Sequence, residues 1–417
     1  MSQAQMESQQ ANTLASSFTL NGGQQIKNRL FKSAMSEQLG DNQHNPTPGL
    51  AKLYGRWAKG GIGLSMSGNI MVDRSALGEP KNVVLDEKSD LTQFKAWAQA
   101  GKENGSHIWA QLNHPGKQIP KFICEEPVAP SAIPLEGGLE KGFNTPRALT
   151  EIEIEAIIKK FAMSAELAKK AGFSGVQIHG AHGYLVSQFL SPRHNQRDDK
   201  WGGSLENRMA FLIAIYHAIR RKVGHGFPIG IKLNSADFMK GGFSEDDSME
   251  VVKNLAKVGI DLIEISGGTY ESPSMMGHKA KQSTLVREAY FLDYIEKVRE
   301  LVDTPLVLTG GFRSAKGMQA ALDTGATDFI GVARTTAVDP DFPNKLLANE
   351  DHKQELKILT TGVKAVDHMA MLNITWYEQQ LARMAKGKAP KPELSEWGTF
   401  FKVFMGAGVY AFKKRRA

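Results

Sequence analysis

Two histidines and a tyrosine stand close together near the middle of the chain, in the order His179-Gly-Ala-His182-Gly-Tyr184. Imidazole and phenol side chains are protic groups that can donate hydrogen bonds and transfer protons. The intervening glycines permit a tight turn that brings the three side chains together. A single polar residue in a loop is usually structural, but the clustering of three protic side chains favours a functional site.

A short apolar run leads directly into this cluster. Residues Val176, Gln177 and Ile178 are predicted to form a buried strand that stops where the polar side chains begin. Barrel enzymes place their chemistry in loops at the carboxyl ends of parallel strands. The position of the cluster therefore indicates an active-site loop.

Eight strand-like segments alternate with helix-like segments along the 417 residues. This alternation indicates a parallel sheet, and eight units in a chain of this length favour an α/β fold of the closed (β/α)8 TIM-barrel type. The predicted strands are Leu30–Met35, Ile62–Gly68, Ile108–Leu112, Gly175–His179, Ile229–Leu233, Leu262–Ser266, Leu306–Thr309 and Phe329–Val332.

The clearest predicted helix begins after Thr150, which forms a capping box with Glu153 and precedes apolar residues at helical spacing. The segment Asn113–Arg147 is rich in Pro and Gly and is expected to be an excursion over the barrel mouth. The predicted helices are Leu50–Lys59, Leu91–Asn104, Glu151–Ala171, Leu205–Val223, Glu245–Val258, Ala289–Leu301 and Ala315–Thr324.

The positive charge is concentrated near the C-terminus. Residues 351–417 contain 12 Lys and Arg against 6 Asp and Glu, so residues 1–350 carry only +1 of the net charge of +7. A nearly neutral body lacks the extended basic surface that nucleic-acid binding requires, so no nucleic-acid partner is expected. The single cysteine, Cys124, excludes an internal disulfide and an iron–sulfur cluster held by four cysteines of this chain.

Two units are predicted: a barrel over residues 1–350, and a C-terminal helical extension with a basic tail over residues 351–417. In the extension, Lys357–Lys386 has a helical pattern that ends before Gly387. The apolar segment Trp397–Phe412 contains three glycines and is too short to cross a bilayer. We expect it to pack on the barrel or on a second subunit of a homo-oligomer, with contact to a membrane surface as the less favoured alternative.

The chain has no apolar run long enough to span a membrane, and its polar N-terminal sequence lacks the hydrophobic core of a secretory signal. These features predict a cytoplasmic protein.

The sequence around the cluster resembles the Old Yellow Enzyme family of FMN-dependent ene-reductases. The resemblance rests on the cluster itself, on Gln188-Phe-Leu-Ser-Pro192 and on Trp201-Gly-Gly-Ser-Leu-Glu-Asn-Arg208. It implies an oxidoreductase that transfers hydride from NADH or NADPH, through flavin N5, to the C=C bond of a small α,β-unsaturated carbonyl compound. It further implies that His179 and His182 hold the carbonyl oxygen, that Tyr184 is the proton donor, and that no metal is needed.

The resemblance also implies cofactor contacts at the ends of other strands. A cation at the fifth strand would stabilise negative charge on the reduced flavin, and a glycine turn with a helix start would bind its phosphate. Relatives often carry Cys or Thr, and then Tyr, where this chain has Ser36 and Gln38, and often Arg where it has Lys232. The residues implied to contact FMN are Ser33, Ala34, Met35, Ser36, Gly68, Gln111, Lys232, Gly310, Gly311, Ala333 and Arg334.

Two other functions stay open from the sequence. The three-residue spacing of His179 and His182 is compatible with a zinc-dependent barrel hydrolase in which Glu206 or Asp198 is the third ligand, although the further His and Asp ligands that such a site needs are not evident. A non-catalytic flavin-binding sensor is the second alternative.

Overall fold

Eight parallel strands close into a barrel in the computed structural model, which describes residues 13–272, 288–363, 366–367, 371–402 and 404–405. Each strand pairs in parallel with its neighbour in sequence, and the first also pairs with the last, which closes the barrel. The strands β1 to β8 are Leu30–Lys32, Leu64–Met71, His107–Asn113, Gly175–Gly180, Ile229–Asn234, Leu262–Ser266, Leu306–Thr309 and Phe329–Val332. The predicted (β/α)8 fold is confirmed, and each of the eight predicted strands corresponds to one of these strands, although β1 ends at Lys32 instead of Met35 and β2 runs from Leu64 to Met71 instead of from Ile62 to Gly68.

Helices cover the outside of the barrel. The helix after Thr150 has the predicted capping box, in which Thr150 and Glu153 each accept a hydrogen bond from the other's backbone. The helices α1 to α11 are Pro48–Lys59, Leu91–Gly101, Glu151–Lys170, Leu185–Leu190, Leu205–Val223, Glu245–Val258, Leu292–Arg299, Ala315–Asp323, Arg334–Val338, Phe342–Ala348 and Leu372–Ala385. The shorter elements are the 3-10 turns Glu103–Gly105 and Leu139–Lys141 and the two-residue strands Phe18–Thr19, Gln25–Ile26, Val83–Val84, Val128–Ala129 and Arg147–Ala148.

The predicted C-terminal helix is corrected at its start. Helix α11 begins only at Leu372, because Met371 has a φ of 45° that cannot continue into a helix, and Gly362 at a φ of 82° interrupts the earlier part of the segment. Residues 364–365 and 368–370 of that prediction lie outside the described residues. The predicted end is confirmed, since Gly387 follows the helix with a φ of 73°. The helix packs on α1 and buries Trp376 and Leu381.

Apolar side chains fill the amino-terminal end of the barrel around Trp109. A Cβ atom on Gly175 would lie 2.4 Å from Cε2 of Trp109, and one on Gly230 would lie 2.9 Å from its Cζ3, so both positions have room only for hydrogen. The indole Nε1 donates to Gln24 Oε1 at 3.0 Å, in the hairpin that covers this end. The other members of this apolar layer are Leu20, Ile26, Phe31, Leu64, Met66, Leu262, Val307 and Phe329. This packing leaves the opposite, carboxyl-terminal end for polar side chains.

No helix in the part of the chain that the structure describes combines the length and the hydropathy needed to cross a membrane.

Candidate active site

A chain of hydrogen bonds lines the barrel interior above the apolar layer. Gln111 Nε2 donates to Gln177 Oε1 at 2.7 Å, and Gln177 Nε2 donates to Glu264 Oε2 at 2.9 Å. The other oxygen of Glu264 accepts from Thr309 Oγ1 at 2.9 Å, and Ser33 Oγ lies 2.9 Å from that hydroxyl. Residues from β3, β4, β6 and β7 and from the loop after β1 are thus held in one network, which fixes the orientation of the Gln111 amide.

A buried ion pair stands within this network. Lys232 on β5 places its Nζ 3.1 Å from Glu264 Oε1 on β6, and the two side chains are 5% and 0% exposed. The strand register sets Lys232 beside Glu264 on one side and beside His179 on the other. An ammonium group has three N–H donors, so Lys232 keeps donors beyond the one that faces Glu264. The site therefore has a fixed positive charge with hydrogen-bonding capacity to spare.

The predicted cluster of His179, His182 and Tyr184 is assembled at the end of β4. The ring centroids of His179 and His182 lie 5.2 Å apart, and those of His179 and Tyr184 lie 4.7 Å apart. Burial, together with the positive charge of Lys232, holds the pKa of both histidines well below the ordinary value. Both imidazoles are therefore uncharged at neutral pH.

The hydrogen bonds of the histidines indicate which nitrogens can face a ligand. The backbone N–H of Ala181 donates to Nδ1 of His179 at 3.3 Å, so the proton of this neutral ring is on Nε2. His182 has a φ of 62°, its N–H donates to Asn234 Oδ1 at 3.2 Å, and its Nε2 lies 2.8 Å from Ser266 Oγ. Asn234 and Ser266 thus hold His182 in a backbone conformation that a residue other than glycine rarely adopts.

The phenol of Tyr184 is one half of a tyrosine pair. Its hydroxyl lies 2.9 Å from the hydroxyl of Tyr270 and accepts a 3.4 Å hydrogen bond from Asn69 Nδ2. Burial, with a further contribution from Glu79, raises the pKa of Tyr184 to about 12. The phenol therefore keeps its proton at neutral pH until a stronger base forms beside it.

The residues predicted from the first two strands border the same end of the barrel. Strand β1 ends at Lys32 instead of Met35, so Ser33, Ala34, Met35 and Ser36 form a loop at the mouth. A Cβ atom on Gly68 would lie 2.5 Å from both the carbonyl oxygen of Met35 and a carboxylate oxygen of Glu37. Position 68 therefore cannot accommodate a residue with a side chain unless these neighbours move.

The predicted phosphate-binding residues lie at the ends of β7 and β8. Gly310 and Gly311 have φ values of 132° and 87°, and a Cβ atom on Gly311 would lie 2.1 Å from the carbonyl oxygen of Glu288. The packing of Glu288 and Tyr290 against these glycines is thus a structural reason for the glycine pair. Arg334 follows Ala333 as the first residue of α9, is half-buried, and forms no ion pair with the residues that the structure describes.

Sequence reasoning did not assign Glu264, Tyr270, Glu79 or Glu378 to this site. Glu264 has a signal in the sequence, since it is a charged residue in the middle of the predicted strand Leu262–Ser266. Tyr270 also has one, because it closes the Gly267-Gly268-Thr269 loop after that strand. Neither Glu79 nor Glu378 lies at the end of a barrel strand, so the sequence provided no reason to place them at the mouth, where the folded chain brings them.

A zinc site built on the two histidines is not assembled among the described residues. Glu206 and Asp198 are exposed to solvent, whereas His179 is buried. Within the described ranges, no group of three or more His, Cys, Asp or Glu side chains is arranged to hold a metal ion.

Known proteins share this sequence and fold. Residues 18–353 match the sequence profile of the NADH:flavin oxidoreductase / NADH oxidase family. The chain is 37% identical over 359 residues to the NADH-dependent flavin oxidoreductase iliE of Hypocrea jecorina. This alignment covers 80% of this chain and 89% of that protein. It is also 34% identical over 406 residues to the NADH-dependent flavin oxidoreductase iccE of Talaromyces variabilis. This second alignment covers 89% of this chain and 98% of that protein.

A solved structure has the same architecture. The Old Yellow Enzyme homologue from Zymomonas mobilis aligns with a TM-score of 0.69 and 25% identity, over 82% of this chain and 95% of that chain. Members of the matched family bind FMN and use a reduced nicotinamide as hydride donor. Because the profile extends from the first hairpin past the last barrel strand, and the relatives match over most of their own length, this chain belongs to the NADH:flavin oxidoreductase family that includes the Old Yellow Enzymes.

Proposed function

We propose that this flavin oxidoreductase reduces the C=C bond of α,β-unsaturated carbonyl compounds. The observation that carries the proposal is the arrangement of two buried, uncharged imidazoles, those of His179 and His182, beside the protonated phenol of Tyr184. The ring centroids of His179 and Tyr184 are 4.7 Å apart. Uncharged donors can hydrogen-bond a carbonyl oxygen and stabilise the negative charge that develops on it. A protonated phenol beside them can deliver the proton that the α-carbon needs.

FMN bound in this barrel would supply the hydride chemistry, and the residues present fit it. The spare N–H donors of Lys232 would face the negative charge of the reduced flavin, and the oriented amide of Gln111 would hydrogen-bond its polar edge. Gly68 would contact the ring only through its backbone, because Met35 and Glu37 fill the space in its side-chain direction. The other residues proposed to hold FMN are Ser33, Ala34, Met35 and Ser36 for the ring, and Gly310, Gly311, Ala333 and Arg334 for the phosphate.

The histidines and the tyrosine have separate roles in the proposed reaction. His179 would donate from Nε2 to the carbonyl oxygen, and His182 would be the second donor, with its ring held by Ser266. Tyr184 would transfer its proton to the α-carbon as hydride reaches the β-carbon. We propose NADH as the reductant, because both fungal relatives are named NADH-dependent.

An anaerobic absorbance titration tests the proposed function. We expect the purified protein to show flavin bands that bleach with NADH and return when cyclohexenone is added, with one cyclohexanone formed per NADH consumed. Bands that bleach but return only with oxygen would contradict alkene reduction and favour a sensor or an oxidase. Protein that neither carries nor takes up FMN would contradict the cofactor assignment.

We also propose that the C-terminal segment joins two copies of the chain. Residues 396–402 are helical, and Trp397, Phe401, Phe404 and Met405 are between 42% and 66% exposed. The start of this segment is fixed to the body, because Trp376 Nε1 donates to Leu394 O at 3.0 Å. An exposed aromatic patch on an anchored helix is typical of an interface. The rest of Trp397–Phe412 and the basic tail lie outside the described residues.

The double substitution Phe401→Ser and Phe404→Ser is expected to convert a dimer into a monomer in size-exclusion chromatography with light scattering, since it removes two rings of the patch. Ile152→Ser is a matched control, because Ile152 is 80% exposed on α3 and should leave the mass unchanged. A wild-type monomer that sediments with anionic vesicles would overturn the proposal in favour of the membrane alternative.

The division of the chain into two units at residue 350 and the cytoplasmic location stay predictions.

A further inference from the structure

The hydroxyl of Tyr184 has two hydrogen-bond neighbours. The hydroxyl of Tyr270 lies 2.9 Å from it, and Asn69 Nδ2 donates to it at 3.4 Å. An amide nitrogen only donates. Among the described residues the Tyr270 hydroxyl has no other hydrogen-bond partner, so the Tyr184 oxygen is the acceptor for its proton. The Tyr184 oxygen therefore accepts two hydrogen bonds, and neither of them uses the proton of Tyr184 itself.

The two donors approach the phenol from different elements. Asn69 reaches it from β2, and Tyr270 reaches it from the loop after β6. The ring of His179 packs against the ring of Tyr184, with the two centroids 4.7 Å apart. A hydroxyl proton turns to suit its neighbours, and two donors on the oxygen leave it only the remaining direction. The phenol is thus set to donate to a bound molecule instead of to the protein.

The backbone on both sides of Tyr270 is tied to the rest of the site. Thr269, the residue before it, forms a parallel bridge with His182 of the catalytic cluster. Glu271, the residue after it, places Oε2 3.4 Å from Nε2 of His194, and these two side chains are 4% and 3% exposed. The Tyr270 hydroxyl is therefore held against Tyr184 by the fold and not by a loose loop.

Asn69 owes its direction to an irregularity of β2. The register of β2 against β3 shifts between Met66 and Asn69, after which Asn69 pairs with Gln111. Irregularities of this kind bend a strand and re-aim a side chain next to a site. The shift thus accompanies an amide that faces Tyr184 from the strand end.

We propose that Tyr270 and Asn69 are positioning residues that turn the proton of Tyr184 toward the substrate and stabilise the phenolate that remains. The inference rests on the proposed role of Tyr184. As hydride reaches the β-carbon, the O–H bond of Tyr184 breaks and a C–H bond forms at the α-carbon. The electron pair of the O–H bond stays on the phenolate oxygen, and solvent later returns the proton. Hydrogen bonds to an ionised acceptor are stronger than those to a neutral one, so both donors gain strength as the proton leaves.

The acidity of Tyr184 is consistent with this arrangement. Burial raises its pKa to about 12, with a contribution from Glu79, while the hydrogen bonds from Tyr270 and Asn69 act in the opposite direction. Loss of either donor is therefore expected to make proton transfer from the phenol harder.

Anaerobic stopped-flow reoxidation of the NADH-reduced enzyme by cyclohexenone tests the proposal. We expect Tyr270→Phe to lower the limiting rate about tenfold and Asn69→Leu about threefold, the range for one lost hydrogen bond. Asn69→Asp should lower it about thirtyfold, because a carboxylate accepts the proton of Tyr184 and turns it away from the substrate. The cyclohexenone concentration that gives half the limiting rate should stay within about twofold of wild type, because neither residue is proposed to bind the substrate.

The same substitutions in a Tyr184→Phe background separate positioning from a structural role. Without a phenol proton to orient, each should change the remaining rate by less than about twofold. Tyr216→Phe is the matched control, because it removes a phenol hydroxyl on α5 that donates to Val258 O and Gly259 O at 2.8 and 2.9 Å. It should leave the rate unchanged in both backgrounds. Flavin reduction by NADH should stay within about twofold of wild type in every variant, which shows that the site is intact.

Three results would overturn the positioning role. The first is an unchanged rate in Tyr270→Phe, and the second is an equal loss with and without the Tyr184 hydroxyl. The third is a faster Asn69→Leu, which would show that the amide oxygen holds the phenol proton. A wild-type enzyme that does not reduce cyclohexenone would instead overturn the proposed function itself, before any variant is compared.

Discussion

Replacing Tyr184 by Phe is expected to slow reoxidation of the reduced enzyme by cyclohexenone by about 10²-fold or more, the range for loss of a general acid. The change removes only the hydroxyl, so the ring can keep its packing against His179. NADH should still reduce the flavin within about twofold of the wild-type rate, because hydride transfer to the flavin does not use the phenol. Anaerobic stopped-flow absorbance measures the two half-reactions separately.

Tyr270→Phe is the matched control for this experiment. It removes the neighbouring hydroxyl, 2.9 Å away, and keeps the proposed donor, so its single-turnover reoxidation should be much faster than that of Tyr184→Phe. Equal losses in both half-reactions of Tyr184→Phe would contradict a proton-donor role and indicate general damage to the site. The decisive quantity is therefore the ratio of the rate of reoxidation by cyclohexenone to the rate of flavin reduction by NADH, measured in the same sample of Tyr184→Phe.

Replacing Lys232 by Met is expected to lower the free energy of unfolding by about 3–5 kcal/mol, the usual cost of leaving one member of a buried ion pair alone. Glu264 is 0% exposed and would lose the ammonium group 3.1 Å away. The variant should also retain less FMN during purification, because the cation proposed to face the flavin is gone. Urea unfolding followed by tryptophan fluorescence, and the flavin content of the purified protein, measure the two effects.

The double variant Lys232→Met with Glu264→Gln distinguishes these contributions. Removing the unpaired charge should recover much of the lost stability, while FMN retention should stay low because the positive charge is still absent. Lys232→Arg should keep both properties closer to wild type, since it preserves the charge. Wild-type stability in Lys232→Met would show that the pair is not a stabilising contact of the folded protein.

The barrel could be predicted from the sequence because its strands are buried on both faces. Such strands are continuous apolar runs, and their positions can be read without knowing their partners. The boundaries were less predictable at β1, where the apolar pattern continues to Met35 although the chain leaves the sheet after Lys32. The predicted helix from Lys357 was wrong at its start, because the left-handed backbone at Gly362 and Met371 depends on the folded environment and not on the apolar pattern.

The site was predictable where its residues are neighbours in sequence. His179, His182 and Tyr184 lie within one six-residue stretch, so their spacing was sufficient to predict that the three side chains cluster. The pairing of Lys232 with Glu264 depends on the register between two strands, which the pattern of either strand does not contain. The contact of Gln38 with Glu378 depends on the docking of α11 against α1, a tertiary contact without a local signal.

That docking has a consequence for how the enzyme can be diversified. The strands that carry the histidines and the buried cation are fixed by the packing of the barrel, and substitutions there risk the whole fold. Helix α11 brings Glu378 to the mouth from a separate segment that packs on the outside of the barrel. A chimera that exchanges only this helix with that of a relative is therefore expected to change the residue that faces Gln38 of the β1 loop without altering any barrel strand.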